Sequence, residues 1–133
     1  MATKTKIPQF DRFVCAGDTI TWAHKGFDIC ARVEYDSGTR PEDSDCYSKK
    51  QIDAWKNDEW FYCGIVLSVE FNGVELSDHA ASLWGIECNF PSRRKNPNNY
   101  LSEVCEELQE AALDCARAEI TRILSELQGA VAS

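Results

Sequence analysis

The sequence predicts an α+β domain: an antiparallel β-meander of four to five strands, with a short inserted helix and a long C-terminal helix packed on one face. Three observations support this fold class. Segments before position 90 alternate apolar and polar side chains, as half-buried strands do. A capped helical segment interrupts them after Ser48. From Asn99 onwards, apolar residues recur at the 3.6-residue period of an amphipathic helix.

The first two predicted strands lie in TITWAHKGFDICARVEY and turn at Lys25-Gly26. The second strand alternates strictly, because every other side chain is apolar or aromatic. These side chains are Phe27, Ile29, Ala31, Val33 and Tyr35. The preceding segment DRFVCAG adds a further short strand in the five-stranded version of the meander.

The strongest strand signal is EWFYCGIVLSVEFNGVEL, in which apolar side chains alternate up to a turn at Asn72-Gly73. This dipeptide supplies the positive φ angles of a type I′ hairpin. In the return strand, SDH forms a bulge or a loop, and AASLWGIECNF continues with four side chains on one face: Ser82, Trp84, Ile86 and Cys88. Gly64 and Gly85 mark a place where a side chain approaches the backbone closely.

The short inserted helix has a capping box, in which Ser48 is the N-cap and Gln51 stands three residues later. Ile52 and Trp55 are spaced to face inward together. We expect a helix of two to three turns that ends near Asn57. The preceding loop is rich in acids.

The long C-terminal helix is predicted to start with Asn99 as its N-cap and to end before Gly129, which suits the C′ position. No proline or glycine interrupts it. Its apolar residues form a stripe of eight: Leu101, Val104, Cys105, Leu108, Ala112, Cys115, Ile123 and Leu127. This stripe is expected to pack on the sheet.

Five acids lie on the opposite side of this helix within about three turns, and we call them the acid stripe: Glu103, Glu106, Glu107, Glu110 and Asp114. Two interpretations remain open. The stripe is either a solvated helix face, whose acids near the N-terminus also favour the helix dipole, or a surface for a basic partner. Carboxylates one helical turn apart approximate neighbouring phosphates on a nucleic-acid strand.

Two further surfaces are candidates for partner binding. The acidic loop contributes Glu42, Asp43 and Asp45; a calcium site is not favoured there, because the glycine and ligand spacing of an EF-hand loop are missing. The end of the long helix has a broad apolar face that includes Ile120, Leu124 and Leu127. These three residues predict a homodimer contact.

Composition limits the range of functions. The 133 residues, of which 44% are hydrophobic, fit a single domain over 1–133, with flexible ends at 1–9 and 129–133. The net charge of −8 disfavours direct binding to nucleic acid or to anionic membrane. No signal peptide or membrane span is predicted, so we expect a cytoplasmic protein. The basic loop from Arg93 to Lys95 is too small a patch to change this expectation.

Chemistry-bearing motifs are sparse. The seven cysteines include no CxxC pair and there are only two histidines, so no metal and no cofactor is expected. Most of the cysteines are interpreted as small buried apolar residues. No P-loop, GxGxxG, G-x-S-x-G or H-E-x-x-H motif occurs, and we do not expect an enzyme.

Three segments together resemble a family of small proteins encoded by bacteriophages, prophages and plasmids of proteobacteria. They are RPEDSDCYSKKQIDAWKNDEWFYCGI, HAASLWGIE and NYLSEVCEELQEAAL, within residues 36–114. The resemblance implies an accessory protein of a mobile element in a bacterial host cytoplasm, and it brings no catalytic residue. By analogy of context, we expect a stoichiometric inhibitor of a host defence complex, such as a CRISPR effector or a restriction enzyme. The alternative is a homodimeric structural or regulatory protein with no defence target.

Overall fold

The computed structural model describes residues 6–91 and 95–132 and confirms the α+β class. Four strands form one antiparallel sheet in the order β1-β2-β3-β4. The strands are β1 Thr19–His24, β2 Phe27–Tyr35, β3 Phe61–Phe71 and β4 Val74–Cys88. A 3-10 turn at Pro41–Asp43 and the helix α1, Lys49–Lys56, lie between β2 and β3, and the helix α2, Asn99–Ala132, follows β4.

Both hairpins turn at the predicted residue pairs, and both residues of each pair have positive φ angles. Lys25 and Gly26 have φ angles of 51° and 84°, and Asn72 and Gly73 have angles of 49° and 81°. Such turns match the twist of antiparallel strands. No fifth strand forms within the described segment before β1: the backbone N–H of Val14 instead donates to the Asn89 side chain at 2.9 Å.

β4 is irregular in two places. Around SDH it has extra residues relative to β3, which confirms the predicted bulge. A second bulge lies near Gly85, because Cys63 pairs with Ile86 whereas Ile65 pairs with Leu83. The extra residue reverses the alternation of side chains there. Ser82 and Trp84 therefore lie on one face, and Ile86 and Cys88 lie on the other. The prediction that these four residues share one face is wrong.

The main core lies between the sheet and α2. Alternate side chains of β2 and β3, among them Ile29 and Leu67, are buried against the helix. The buried apolar residues of α2 are Leu101, Val104, Cys105, Ala112, Leu113 and Ala116. Leu127, which was assigned to the buried stripe, is 58% exposed instead. At that point the helix extends beyond the sheet and, among the described residues, has no surface to pack on. The part of the prediction that concerns Leu127 is therefore wrong.

α2 is also longer than predicted, because it continues through Gly129 to Ala132. A glycine lowers helix propensity by about 1 kcal/mol but does not impose a left-handed turn, so it ends a helix only where the following chain turns away. The prediction of a helix end before Gly129 is wrong. The flexibility predicted for 1–9 and 129–133 stays a prediction, and residues 1–5 and 133 lie outside the described residues.

α1 has the predicted cap, since Ser48 and Gln51 hydrogen-bond each other's backbone N–H groups. The helix buries no residue fully, and Ile52 and Trp55 are only half-buried. Trp60 provides the buried anchor of this region: it is 0% exposed and its indole N–H donates to the carbonyl of Gln51 at 2.9 Å. The sequence alone left the position of Trp60 open.

An aromatic cluster lies on the outer face of the sheet, which is the face away from α2. Tyr62 of β3 points there, because side chains alternate along a strand and its neighbour Cys63 belongs to the main core. Tyr47 and Trp60 stack with ring centroids 5.4 Å apart, and both meet Tyr62 edge-on. Phe90 completes the cluster. The segment around Tyr47, between the acidic loop and α1, therefore packs on this part of the outer face.

Candidate functional site

The structure places all five residues of the acid stripe at exposed positions of α2. Four of them follow one another at helical spacings of four, three and four residues: Glu103, Glu107, Glu110 and Asp114. At 3.6 residues per turn these four fall within an arc of about 60° around the helix. Glu106 lies about 40° beyond one edge of this arc. The stripe is thus a narrow row of carboxylates.

The backbone under the stripe is held by packing on the opposite side of the same helical turns. Leu101, Val104 and Leu113 are each 0% exposed in the main core. Gln109 is also buried, and its side-chain carbonyl accepts a hydrogen bond from the indole N–H of Trp22 at 3.2 Å. A helix fixed in this way presents its carboxylates at constant spacing.

Glu110 contacts the first hairpin of the sheet. Its carboxylate lies 2.8 Å from Nε2 of His24 and 3.1 Å from Nζ of Lys25. The hydrogen bonds from these two side chains lower the pKa of Glu110 below its ordinary value. The sequence analysis missed this contact, although the turn position of Lys25 was visible. Part of the charge of Glu110 is therefore compensated within the chain.

The other stripe residues differ in their partners. Asp114 pairs with Arg117 one turn further along, at 3.3 Å, and both side chains are well exposed. The guanidinium of Arg117 also lies 5.7 Å from the ring centroid of Phe27. Glu103 and Glu107 have no ion pair or side-chain hydrogen bond within the described residues. These two acids have the least compensated charge of the four in the row.

The acidic loop is a separate surface. Glu42 pairs with Arg40 at 3.3 Å and with Lys56 at 3.4 Å, while Asp43 and Asp45 are exposed. This loop belongs to the outer face of the sheet, and α2 covers the inner face. The structure therefore does not join the acidic loop and the acid stripe into one site.

The predicted dimer residues are only partly exposed for contact with a second copy. Ile120 is half-buried against the main core, whereas Leu124 and Leu127 are 53% and 58% exposed. Val131, which the sequence analysis did not include, is 87% exposed. The four residues have spacings of four, three and four, which is the repeat of a helix–helix seam. We call them the apolar seam.

The seven cysteines occupy mixed environments. Cys63, Cys88 and Cys105 are buried, two are half-buried, and Cys15 and Cys46 are exposed. Burial raises the pKa of Cys105 to about 12, and the hydrogen bond with Cys63, together with burial, raises the pKa of Cys88. Such thiols stay protonated and unreactive. Within residues 6–91 and 95–132, no three His, Cys, Asp or Glu side chains come together as a metal site.

Two further observations concern the membrane and the basic loop. No helix in the described ranges is both long and apolar enough to cross a membrane. Arg93 and Arg94 of the basic loop lie outside the described residues.

No known family model, curated protein or solved structure matches this chain. The resemblance to small mobile-element proteins therefore stays a prediction.

Proposed function

We propose that the protein acts by binding a basic partner protein through the acid stripe, and not by catalysis. The observation that supports this most directly is the row of four exposed carboxylates on a helix whose opposite side is fully packed. Between Asn99 and Ala116 the helix has five acids and neither lysine nor arginine. A partner with a row of basic side chains would gain attraction along the entire row.

The target class follows from the spacing of the carboxylates. Neighbouring positions on one helix face are about 5–6 Å apart, which is near the separation of successive phosphates. A protein surface that normally holds nucleic acid has basic side chains at matching intervals. In this proposal the stripe occupies such a surface and excludes the nucleic acid. The resemblance to small mobile-element proteins favours a host defence complex as the target, a CRISPR effector or a restriction enzyme, in a bacterial cytoplasm.

Cleavage of DNA by purified representatives of these enzymes tests the proposal. The wild-type protein should inhibit at least one of them at stoichiometric concentration. Reversing Glu103, Glu107 and Asp114 to lysine should abolish that inhibition. A matched control reverses Asp53, Glu59 and Glu75, which are exposed acids outside the stripe, and gives the same net charge. Equal inhibition by both triple variants would contradict the role of the stripe.

A second candidate function, self-association, is favoured by the apolar seam. Leu124, Leu127 and Val131 leave more than half of their surface in solvent. The chain has a net charge of −8, but residues 117–132 contain two arginines and two glutamates and are neutral as a segment. Like copies would therefore not repel each other at this seam. A homodimer through α2 is the form that this candidate takes.

Light scattering distinguishes the two states. If the seam joins two copies, the wild-type protein has the mass of a dimer, and Leu124→Glu with Leu127→Glu gives a monomer. The control pair Thr121→Glu and Ser125→Glu adds the same charge at exposed positions next to the seam. A monomeric wild-type protein at a concentration of about 0.1 mM, well above typical dimer dissociation constants, would remove this candidate.

A further inference from the structure

A cavity of about 540 Å³ lies beside β4, on surfaces that the proposed function does not use. Its described lining comes from four places: the second half of β4, the segment before α1, the connection between β4 and α2, and the first turn of α2. Four aromatic side chains contribute, and these are Tyr47, Trp84, Phe90 and Tyr100. Leu83 and Glu87 of β4 also line the cavity. We call it the Trp84 pocket.

The aromatic walls are held in place by the fold. The ring of Trp84 lies against Gly64 of β3 so closely that a Cβ atom there would come within 2.2 Å of a ring carbon. This is the close approach that the two glycines predict, and it explains why residue 64 has no side chain. Tyr47 packs against Phe90 with ring centroids 5.9 Å apart. Trp84 and Tyr100 remain 42% and 44% exposed, which is high for such large rings.

Glu87 places a negative charge among these rings. It is half-buried, and one carboxylate oxygen accepts a hydrogen bond from the Tyr47 hydroxyl at 2.5 Å. Its other oxygen has no hydrogen-bond donor in the described part of the chain, and Glu87 takes part in no ion pair there. By contrast, Glu34 and Glu119, which are also half-buried, each pair with an arginine.

A cation complements this combination of aromatic faces with a carboxylate that has no ion pair among the described residues. A cation is attracted to the face of an aromatic ring, and arginine in particular stacks on rings while donating to a carboxylate. The chain already contains this contact twice, since Arg40 lies 5.8 Å from the ring centroid of Trp55 and Arg117 lies over Phe27. An anionic or purely apolar occupant would take the half-buried Glu87 further out of water without a cation to balance its charge.

We propose that the Trp84 pocket binds the guanidinium side chain of an arginine on a basic partner protein, with Glu87 as its counter-ion and Trp84 and Tyr100 as its aromatic walls. The sequence alone does not reveal this site, because its residues are distant in the chain and the bulge at Gly85 separates the face of Trp84 from the face of Ile86 and Cys88. The site uses no residue of the acid stripe, so it stands or fails independently of the proposed function.

Nuclear magnetic resonance with N-acetylargininamide tests the site, because this molecule has one arginine side chain and two peptide groups. The reporter is the indole N–H signal of Trp84, assigned with the Trp84→Phe variant. We expect a saturable shift of this signal with a dissociation constant of the order of 1 mM, a value typical of a ligand with so few atoms. The matching citrulline derivative has the same shape without the charge and should give no saturable shift.

Two variants sharpen the test. Glu87→Gln keeps an oxygen that can accept from Tyr47 but removes the charge, and it should weaken arginine binding by about 3- to 30-fold. Glu75→Gln is the control, an exposed acid on the same strand that does not line the pocket, and it should leave the affinity unchanged. An unchanged dispersion of backbone signals verifies that each variant is folded.

Several outcomes would overturn the proposal. These are the absence of a saturable Trp84 shift, equal shifts with arginine and citrulline derivatives, and equal affinity of wild type and Glu87→Gln. A saturable shift with adenosine monophosphate in place of the arginine derivative would also overturn it, because the pocket would then be a stacking site for bases.

Discussion

The two halves of α2 belong to one continuous helix, but their surfaces differ in charge and in burial. In the packed half, residues 99–116, one side is buried in the main core and the other has five acids without a single lysine or arginine. In the exposed half, residues 117–132, no residue is fully buried and the charges balance. The packed half is thus a charged surface that the main core holds in place. The exposed half is a neutral apolar surface with little packing beneath it.

This difference suggests two separate roles. Charge attracts a partner over a distance but gives little net stability at an exposed site, so a charged surface is useful mainly for recognition. Exposed apolar side chains gain free energy only when they are covered. The packed half therefore suits the proposed recognition of a basic partner, and the exposed half suits the second candidate function, self-association.

The largest difference between the halves should appear in stability. Leu113 is fully buried and Leu127 is 58% exposed, so the same truncation to alanine has unequal costs. We expect Leu113→Ala to lower the free energy of unfolding by about 2–5 kcal/mol, because it leaves a cavity in the main core. Leu127→Ala should change it by less than about 0.5 kcal/mol. Urea unfolding at micromolar protein concentration measures both; comparable losses would contradict this division of the helix.

A polar pair of variants gives a smaller contrast of the same kind. Gln109 accepts the indole hydrogen bond of Trp22 inside the packed half, whereas Gln128 is exposed. Gln109→Ala leaves a buried N–H group without its acceptor and should cost about 1–3 kcal/mol. Gln128→Ala should have no measurable effect. If both variants unfold at the wild-type urea concentration, the hydrogen bond to Trp22 does not stabilise the fold.

The smallest expected effect is a pH dependence at the junction of α2 with the first hairpin. The pKa of Glu110 is lowered by His24 and Lys25, so the folded state favours the carboxylate form. Its contribution to stability is complete above the ordinary glutamate pKa of about 4.3 and is lost as the pH falls through the lower folded value. The stability difference between wild type and Glu110→Gln should therefore be greater at pH 7 than at pH 3. A difference that does not change with pH would contradict the assignment.

Much of the fold follows from local sequence signals. The two hairpin turns and the Ser48 cap depend on neighbouring residues only, and a single sequence displays them directly. The bulge at Gly85, in contrast, depends on how β4 pairs with a strand that is distant in sequence. The alternation rule therefore failed between Trp84 and Ile86, and the Trp84 pocket could not be predicted.

The candidate sites show the same limit. Helical spacing was sufficient to predict that the acid stripe shares one exposed face. It could not show that Glu110 meets His24 and Lys25, since that contact requires the packing angle of α2 on the sheet. Spacing alone also extended the buried stripe to Leu127, because periodicity does not reveal where the sheet beneath a helix ends.

The most direct test of the central claim is to capture a partner with three forms of the protein at low and high salt. The forms are wild type, the triple lysine variant of the acid stripe, and the control with Asp53, Glu59 and Glu75 reversed. Bacterial lysate is applied at about 0.05 M and 0.5 M salt, because screening at the higher concentration weakens exposed charge contacts. Mass spectrometry identifies the bound proteins.

We predict that wild type and control retain the same nucleic-acid-handling complex at low salt, that the stripe variant does not, and that high salt releases the complex. Equal capture by all three forms, or capture that does not depend on salt, would contradict the role of the acid stripe.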